Sequence, residues 1–384
     1  MTTVVLSPYD VVNFPEGGGH FWAYMQYAQA LRQLGCEVFW LEQVRRRRGP
    51  ERDARALATF LKRMERYGLG QHVLLYTVGE GDGAPIDYLN VTPARAEAVL
   101  RRADLVLNFH YAIDPRILGG ARRTALVDID PGLTQLWISS AQLQVPAHDV
   151  YFTIGETLGT AGPAFPDCGV SWVHTRPPVY LSLWPYVHDS GCEMFTTVAG
   201  WWSGKWVKVV ENGHEVCHDN NKRVAFLKFL SLPDMTSQPL ELALHLAEGD
   251  VEDRRLLEHH RWRVRHAREV ASTPERYRCY IQSSRGEWSC AKPFFVKLQN
   301  AWVSDRTVCY LASGKPAVVQ HTGPSAYLPD GEGLFRFTTL EEAAAALDAV
   351  NRDYERQCRA ARDIAAAYFD AVQVVGSLLS EALT

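Results

Sequence analysis

The chain has no Cys-x-x-Cys pair, no long apolar run, no Gly-x-Gly-x-x-Gly string and no excess of basic residues, and each absence removes a class of protein. Its eight cysteines, Cys36, Cys168, Cys192, Cys217, Cys279, Cys290, Cys309 and Cys358, stand singly. With no secretory leader in view, they read as reduced thiols of a cytoplasmic protein. A membrane-crossing helix needs roughly 18 consecutive apolar residues, and none occurs, so a soluble protein is expected. The formal charge of −4 gives no chain-wide basic field, which disfavours a protein that holds nucleic acid mainly by neutralising phosphates. Without the glycine string no dinucleotide fingerprint is assigned, and neither internal repeats nor low-complexity tracts suggest an array.

What is present is a length of 384 residues with 47% apolar content, enough for two domains with separate cores. Val4-Val-Leu6 reads as a buried strand, the turn-rich Ser7 to Gly19 as a loop, His20 to Leu34 as an amphipathic helix stopped by Gly35, and Glu37 to Leu41 as the next strand. Further strands are expected at Val73–Tyr76, Leu105–Asn108, Thr124–Asp128 and Val150–Thr153, alternating with helices near 93–103 and 133–143. From Val170 to Cys192 the periodicity is lost and Pro177, Pro178 and Pro185 appear, as in an interdomain connection. A second α/β pattern starts at Met194. Strands are expected at Leu240–Leu246 and Tyr277–Gln282, a long charged helix at 251–270, and two helices over 340–383.

The stretch from Trp302 to Gln320 is the most informative. Ser304 or Asp305 opens a helix, Gly314 stops it, Pro316 prevents its continuation and a Val-rich strand follows. Such a helix start, pressed on a parallel sheet, leaves amides pointing into the crevice at the strand ends, which suits a phosphate. The run Tyr310-Leu-Ala-Ser-Gly-Lys-Pro-Ala-Val-Val319 resembles the donor domain of GT-B glycosyltransferases. Gly19-His20 followed by the helix and strand to Leu41 resembles their N-terminal unit. Tyr280 to Lys292, together with Trp302-Val-Ser-Asp-Arg306, resembles a bacterial branch of that fold. Cys309 stands where one large group has an acid, and the His-Cys-Gly or His-Gly-Gly signature of another group is missing near Ala301.

The resemblance implies two Rossmann-like domains facing across a cleft. Residues 1–175 form an acceptor domain, 176–192 a linker, 193–366 a nucleotide-sugar domain, and 367–384 a helix that crosses back onto the first domain. It implies His20 as the general base, for which an imidazole at a loop-helix joint is chemically suited. Asp128 and Asp130, at a strand end, are expected near the acceptor, and one of them or Glu16 as the acid that orients His20. Donor contacts are expected from Gly18, Gly19, Gly200, Trp201, Arg285, Gly286, Glu287, Lys292, Ser304, Asp305, Arg306 and Thr307. Arg285 and Arg306 are assigned to the diphosphate, and Trp201 to stacking. No cofactor or metal is expected. Asp128-Ile-Asp130 fits the Asp-x-Asp pattern but falls in the acceptor half.

Two strings carry weaker chemistry. His214-Glu-Val-Cys-His218 matches the zinc-protease signature, which works only on a helix, whereas Asn212-Gly213 makes it one arm of a hairpin. Arg45 to Arg48 is a solvated basic run that would attract an anionic acceptor. The function expected is transfer of a sugar from a nucleoside-diphosphate sugar, most simply UDP-linked, to an acceptor hydroxyl of a small molecule or, less favoured, of a modified base in DNA. A nucleotide-sugar 2-epimerase and a non-catalytic nucleotide-sugar binder share the same fold.

Overall fold

Near-continuous Val, Leu and Ile runs become strands buried on both faces, as a parallel sheet between helices requires. A computed structural model describes the chain apart from residues 46–48, 82, 161–164, 203–206 and 212–213 and the side chains of 210, 211 and 215. Arg46 to Arg48, Lys205, Trp206 and the Asn212-Gly213 turn therefore lie outside the described residues.

The first sheet contains β1 (Thr3–Ser7), β2 (Glu37–Gln43), β3 (Val73–Val78), β4 (Ile86–Tyr88), β5 (Leu105–Asn108), β6 (Thr124–Asp128), β7 (Val150–Thr153) and β8 (Trp172–His174). Its order is β4-β3-β2-β1-β5-β6-β7-β8, parallel except for the edge strand β4. After β9 (Phe195–Gly200) comes the antiparallel hairpin β10 (Val207–Glu211) and β11 (His214–His218). The second sheet is completed by β12 (Leu240–His245), β13 (Arg263–His266), β14 (Gly286–Ser289), β15 (Ala317–Gln320) and β16 (Leu334–Phe337), in the order β13-β12-β9-β14-β15-β16, all parallel. In both sheets the strand order reverses beside the first strand, between β1 and β5 and between β9 and β14. That switch point opens the crevice in which α/β sheets collect ligands.

Three expectations are corrected. Tyr277–Gln282 is not a strand. Thr273 caps the amide of Arg276, Pro274 occupies the first turn, and a helix runs from Pro274 to Gln282 with Tyr277, Tyr280 and Ile281 inward. The 251–270 helix ends at His259. Arg261 takes φ 65°, and Trp262 and Val264 turn inward as β13 pairs with β12. The C-terminal region is three helices, Leu340–Arg352, Tyr354–Tyr368 and Ala371–Leu383, because Asp353 and Asp370 cap new starts on the amides of Arg356 and Val372. The last packs on the helix Gly18–Gln33, and Arg123 Nε donates to the Ala382 carbonyl at 3.1 Å. Both chain crossings between the sheets meet, with Val179 N donating to Phe369 O at 2.7 Å and Ala371 N to Val179 O at 3.0 Å. No helix among the described residues is long and apolar enough to cross a membrane.

The second sheet's core is aromatic. Trp288 stacks on Phe337 at 5.7 Å and meets Trp262 at 4.9 Å. Trp201 belongs to this core, fully buried, with its indole N–H donating to Asp253 at 2.8 Å, so it cannot stack on a donor as expected.

Candidate active site

The first lobe contributes the loop after β1. His20 is half-buried at the start of the helix Gly18–Gln33, with Nε2 2.6 Å from the Tyr9 carbonyl oxygen. A carbonyl only accepts, so Nε2 carries the hydrogen and the neutral ring keeps its lone pair on Nδ1. Burial lowers the His20 pKa, opposed by the Tyr9 carbonyl and by Asp305, Asp10 and Asp130, so the ring is neutral and basic at pH 7. The group that orients His20 is therefore a backbone carbonyl and not Asp128, Asp130 or Glu16. The Tyr9 loop is held from beneath by Glu42, which accepts from Val12 N and Trp40 Nε1, both at 2.8 Å.

Asp128 is fully buried and saturated by donors from its own lobe. Tyr111, Thr134 and the Asp130 amide bond one oxygen; Gln135 and Thr153 bond the other. It shapes the strand end and offers nothing to an acceptor. Asp130, half-buried, meets Lys292 Nζ across the crevice at 2.8 Å. Lys292 follows β14 at the second sheet's switch point, so this ion pair joins the two lobes where their strand ends face each other.

The second lobe contributes the helix Asp305–Ala312. The Ser304 hydroxyl caps the Arg306 amide at 3.2 Å, and among the described residues the amides of Asp305 and Thr307 have no protein partner. Beside this helix start is a crevice of about 440 Å³ including its open mouth, lined by Cys290, Ala291, Trp302, Ser304, Thr307 and Gln320 among others. Asp305, exposed at the helix start, is near enough for its charge to raise the pKa of His20.

Arg306 reaches the same crevice but its guanidinium is committed. Nε donates to Glu287 at 2.7 Å and a terminal nitrogen to the Val198 carbonyl at 2.9 Å. Burial opposes its charge and Glu287 outweighs burial, so the guanidinium stays charged within the sheet. It is a strut rather than a free phosphate fork. Glu287, fully buried, serves Arg306 and Ser289. Arg285 lies at the amino end of β14, far from the ligand end. It stacks on Tyr354 at 3.8 Å and donates to Asn351 and the Cys192 carbonyl. Its assignment followed from the misplaced strand at Tyr277–Gln282. Gly286 is a core glycine, since a Cβ there would sit 2.4 Å from Phe195. Gly200 ends β9 on the crevice side, where among the described residues a Cβ meets only Trp202 O at 3.7 Å.

Gly18 and Gly19 have an interlobe packing reason. A Cβ on Gly18 would lie 2.3 Å from Thr273 O, and one on Gly19 2.8 Å from the Tyr277 ring, so the helix start abuts the second lobe. Trp22 Nε1 donates to Pro274 O at 2.9 Å alongside. Gln26 reaches Cys309, the residue at the position acidic in other branches, at 3.7 Å and accepts from Tyr180 N of the connection.

The cation that sequence reasoning missed is Lys222. It follows the hairpin at the start of the helix Lys222–Leu227, and its spacing from any motif carries no signal. Burial, then Arg306 and Lys292, bring its pKa down to about 7, and no hydrogen-bond partner holds it among the described residues. A cation driven toward neutrality by other cations is poised for an anion that restores its charge. His214 to His218 form strand β11, as expected, and not the helix that zinc chemistry needs.

Two doubly wound sheets, their strand ends opposed across a crevice and their last helix returned to the first lobe, define the two-domain GT-B fold. No family model and no curated protein matches the sequence. Solved structures match over the whole length. An α-glucosyltransferase in complex with UDP and a 13-mer DNA containing an A:G mismatch superposes with a TM-score of 0.62 at 8% identity, covering 100% of both chains. Anabaena Alr3699/HepE in complex with UDP-glucose gives 0.60 at 12%, covering 99% of this chain and 100% of that one. AviGT4, a glycosyltransferase involved in avilamycin A biosynthesis, gives 0.56 at 14%, covering 99% and 97%. At such identities the likeness is one of fold.

Proposed function

We propose that the protein is a glycosyltransferase that moves a sugar from a nucleoside-diphosphate sugar, UDP-linked in the simplest case, to an acceptor hydroxyl. What supports this reading is a full-length GT-B fold that carries His20 on one lobe and the Asp305–Ala312 helix start and Lys222 on the other, with the Asp305 charge felt by both His20 and Lys222. His20 Nδ1 takes the acceptor hydroxyl proton while the oxygen attacks the anomeric carbon. The bond from that carbon to the diphosphate breaks, and its electron pair leaves on the diphosphate oxygen. The developing charge is met by the open amides of Asp305 and Thr307 and by Lys222, which is fully charged once an anion sits beside it. Asp305 and Asp130 stabilise the imidazolium that forms.

The acceptor side is the mouth of the first lobe, where Arg45 lies 4.8 Å over the Tyr9 ring and pairs with Asp10 at 3.4 Å. Structural neighbours solved in complex with DNA and involved in avilamycin A biosynthesis support testing two acceptor classes, a base in DNA and a small hydroxylated molecule. A panel of nucleotide sugars is scored by thermal shift, then by donor hydrolysis with and without acceptors. UDP-glucose or a related donor raising the melting temperature supports the reading. Failure of every nucleotide sugar to shift it ends the donor assignment. Donor consumed without any acceptor, yielding an epimer, points to the epimerase. The product anomer reports the face of attack.

A further inference from the structure

Lys315 stands between Gly314 and Pro316, at the joint leading into β15, and none of its surface reaches solvent. Among the described residues its ammonium has no carboxylate within ion-pair range. Its hydrogen-bond partner is the Cys192 thiol, Nζ to Sγ 3.9 Å. Burial lowers the Lys315 pKa, which makes its uncharged, nucleophilic amine form more accessible than on an exposed lysine, and the short approach holds that nitrogen against the sulfur. The Asp189 carboxylate also accepts from the Cys192 thiol, and Cys358, fully buried, is close by.

The place matters mechanically. Cys192 ends the connection between the two sheets, shortly before β9. That connection is seated on the joint carrying Lys315. Val187 N donates to Ser313 O at 3.0 Å, and Arg362 donates to the carbonyls of both Trp184 and Ala312. A bond between Cys192 and Lys315 would fasten the interlobe connection to the donor-side lobe.

We propose that Cys192 and Lys315 form a redox-reversible covalent staple. A peroxide oxidises the Cys192 thiol to the sulfenic acid, with one water released. The Lys315 amine attacks the sulfur, the S–O bond breaks, and hydroxide leaves with an amine proton as a second water, so an N–S bond remains. Sulfur loses two electrons and the peroxide gains them. A thiol reductant attacks the sulfur and returns amine and thiol, itself becoming a disulfide. Cys192 is 7% exposed and Lys315 not at all, so a small peroxide reaches the sulfur at its exposed edge while the amine is shielded from bulk solvent.

The test uses the full chain treated with hydrogen peroxide, blocked, and digested at acidic residues for tandem mass spectrometry. The expected product is one cross-linked peptide joining Cys192 to Lys315, two hydrogens lighter than its parts, that disappears after dithiothreitol. The melting temperature rises by several degrees on oxidation and returns on reduction. Lys315→Met loses both the cross-link and the shift. Cys192 recovered as sulfinic acid or joined to Cys358, or left unmodified when the exposed Cys217 and Cys279 are oxidised, overturns the proposal. The wild-type mass measurement stands whether or not the variant folds.

Discussion

Gly18→Ala is the sharpest probe of how the two lobes meet. The added Cβ would lie 2.3 Å from Thr273 O and 2.6 Å from Ala271 O, whereas ordinary contact begins at 3.4 Å, so the surfaces must part by about 1 Å (3.4 − 2.3). Both obstructing atoms are backbone oxygens at the turn that opens the Pro274–Gln282 helix, and neither can swing aside as a side-chain tip would. Overpacking of this kind costs about 1–3 kcal/mol. If that cost falls on lobe closure, the closed form is depleted by roughly 5- to 150-fold. The Trp22 to Pro274 hydrogen bond beside it, 2.9 Å long, is lost in the parted form. The variant should keep its helical circular dichroism, because each lobe's core is untouched, yet melt earlier and bind nucleotide sugar more weakly by calorimetry. Gly200→Ala is the control, since among the described residues its Cβ has only Trp202 O at 3.7 Å to meet and its melting temperature should match the wild type. Wild-type melting and donor affinity in Gly18→Ala would refute the close approach and the closed crevice that rests on it.

Four further outcomes follow from the site. His20→Ala should lower kcat by roughly 10²- to 10⁴-fold with donor affinity unchanged, and equal losses in donor binding would deny it the role of base. Lys222→Met should weaken donor binding roughly ten- to hundredfold, the worth of a charge-assisted hydrogen bond. Because Lys222 is charged only below about pH 7 in the empty site, wild-type affinity should fall as pH rises through that value and the variant's should not. Glu42 titrates near 7 in the folded protein because of burial, above its ordinary 4.5. Its protonated form is the one folding favours, so stability is present below pH 4.5 and is lost by about 3 kcal/mol as pH rises to 7. Denaturant melts of Glu42→Gln should lack that component. Trp201→Ala should cost about 3–5 kcal/mol of stability, and a variant of wild-type stability with impaired donor binding would return Trp201 to the site.

Several parts of the architecture were legible locally. The paired α/β halves, the irregular Pro-rich connection, the hairpin that excludes the zinc reading and the Ser304 cap all follow from period, turn chemistry and capping, which act within a few residues. Where local signals competed the reading failed. Tyr277-Arg-Cys-Tyr-Ile-Gln282 alternates like a strand, but Thr273-Pro274 starts a helix, and moving that one element carried Arg285 to the wrong end of the sheet.

His20 was legible through a resemblance, Gly19-His20 opening the first helix, which is a local pattern. That its ring is held by the Tyr9 carbonyl, that Arg306 is consumed by Glu287, that Trp201 is core and that Lys222 is unpartnered among the described residues, beside Arg306 and Lys292, were decided only by folding. Each depends on which distant atoms arrive beside a side chain, and charge and burial are properties of that company rather than of the residue. Sequence by itself determined the alternating α/β pattern of both halves and the Ser304 cap, because those preferences are local. Tertiary structure decided which polar groups are spent on one another and which remain free, because desolvation and pairing exist only once remote segments are packed together.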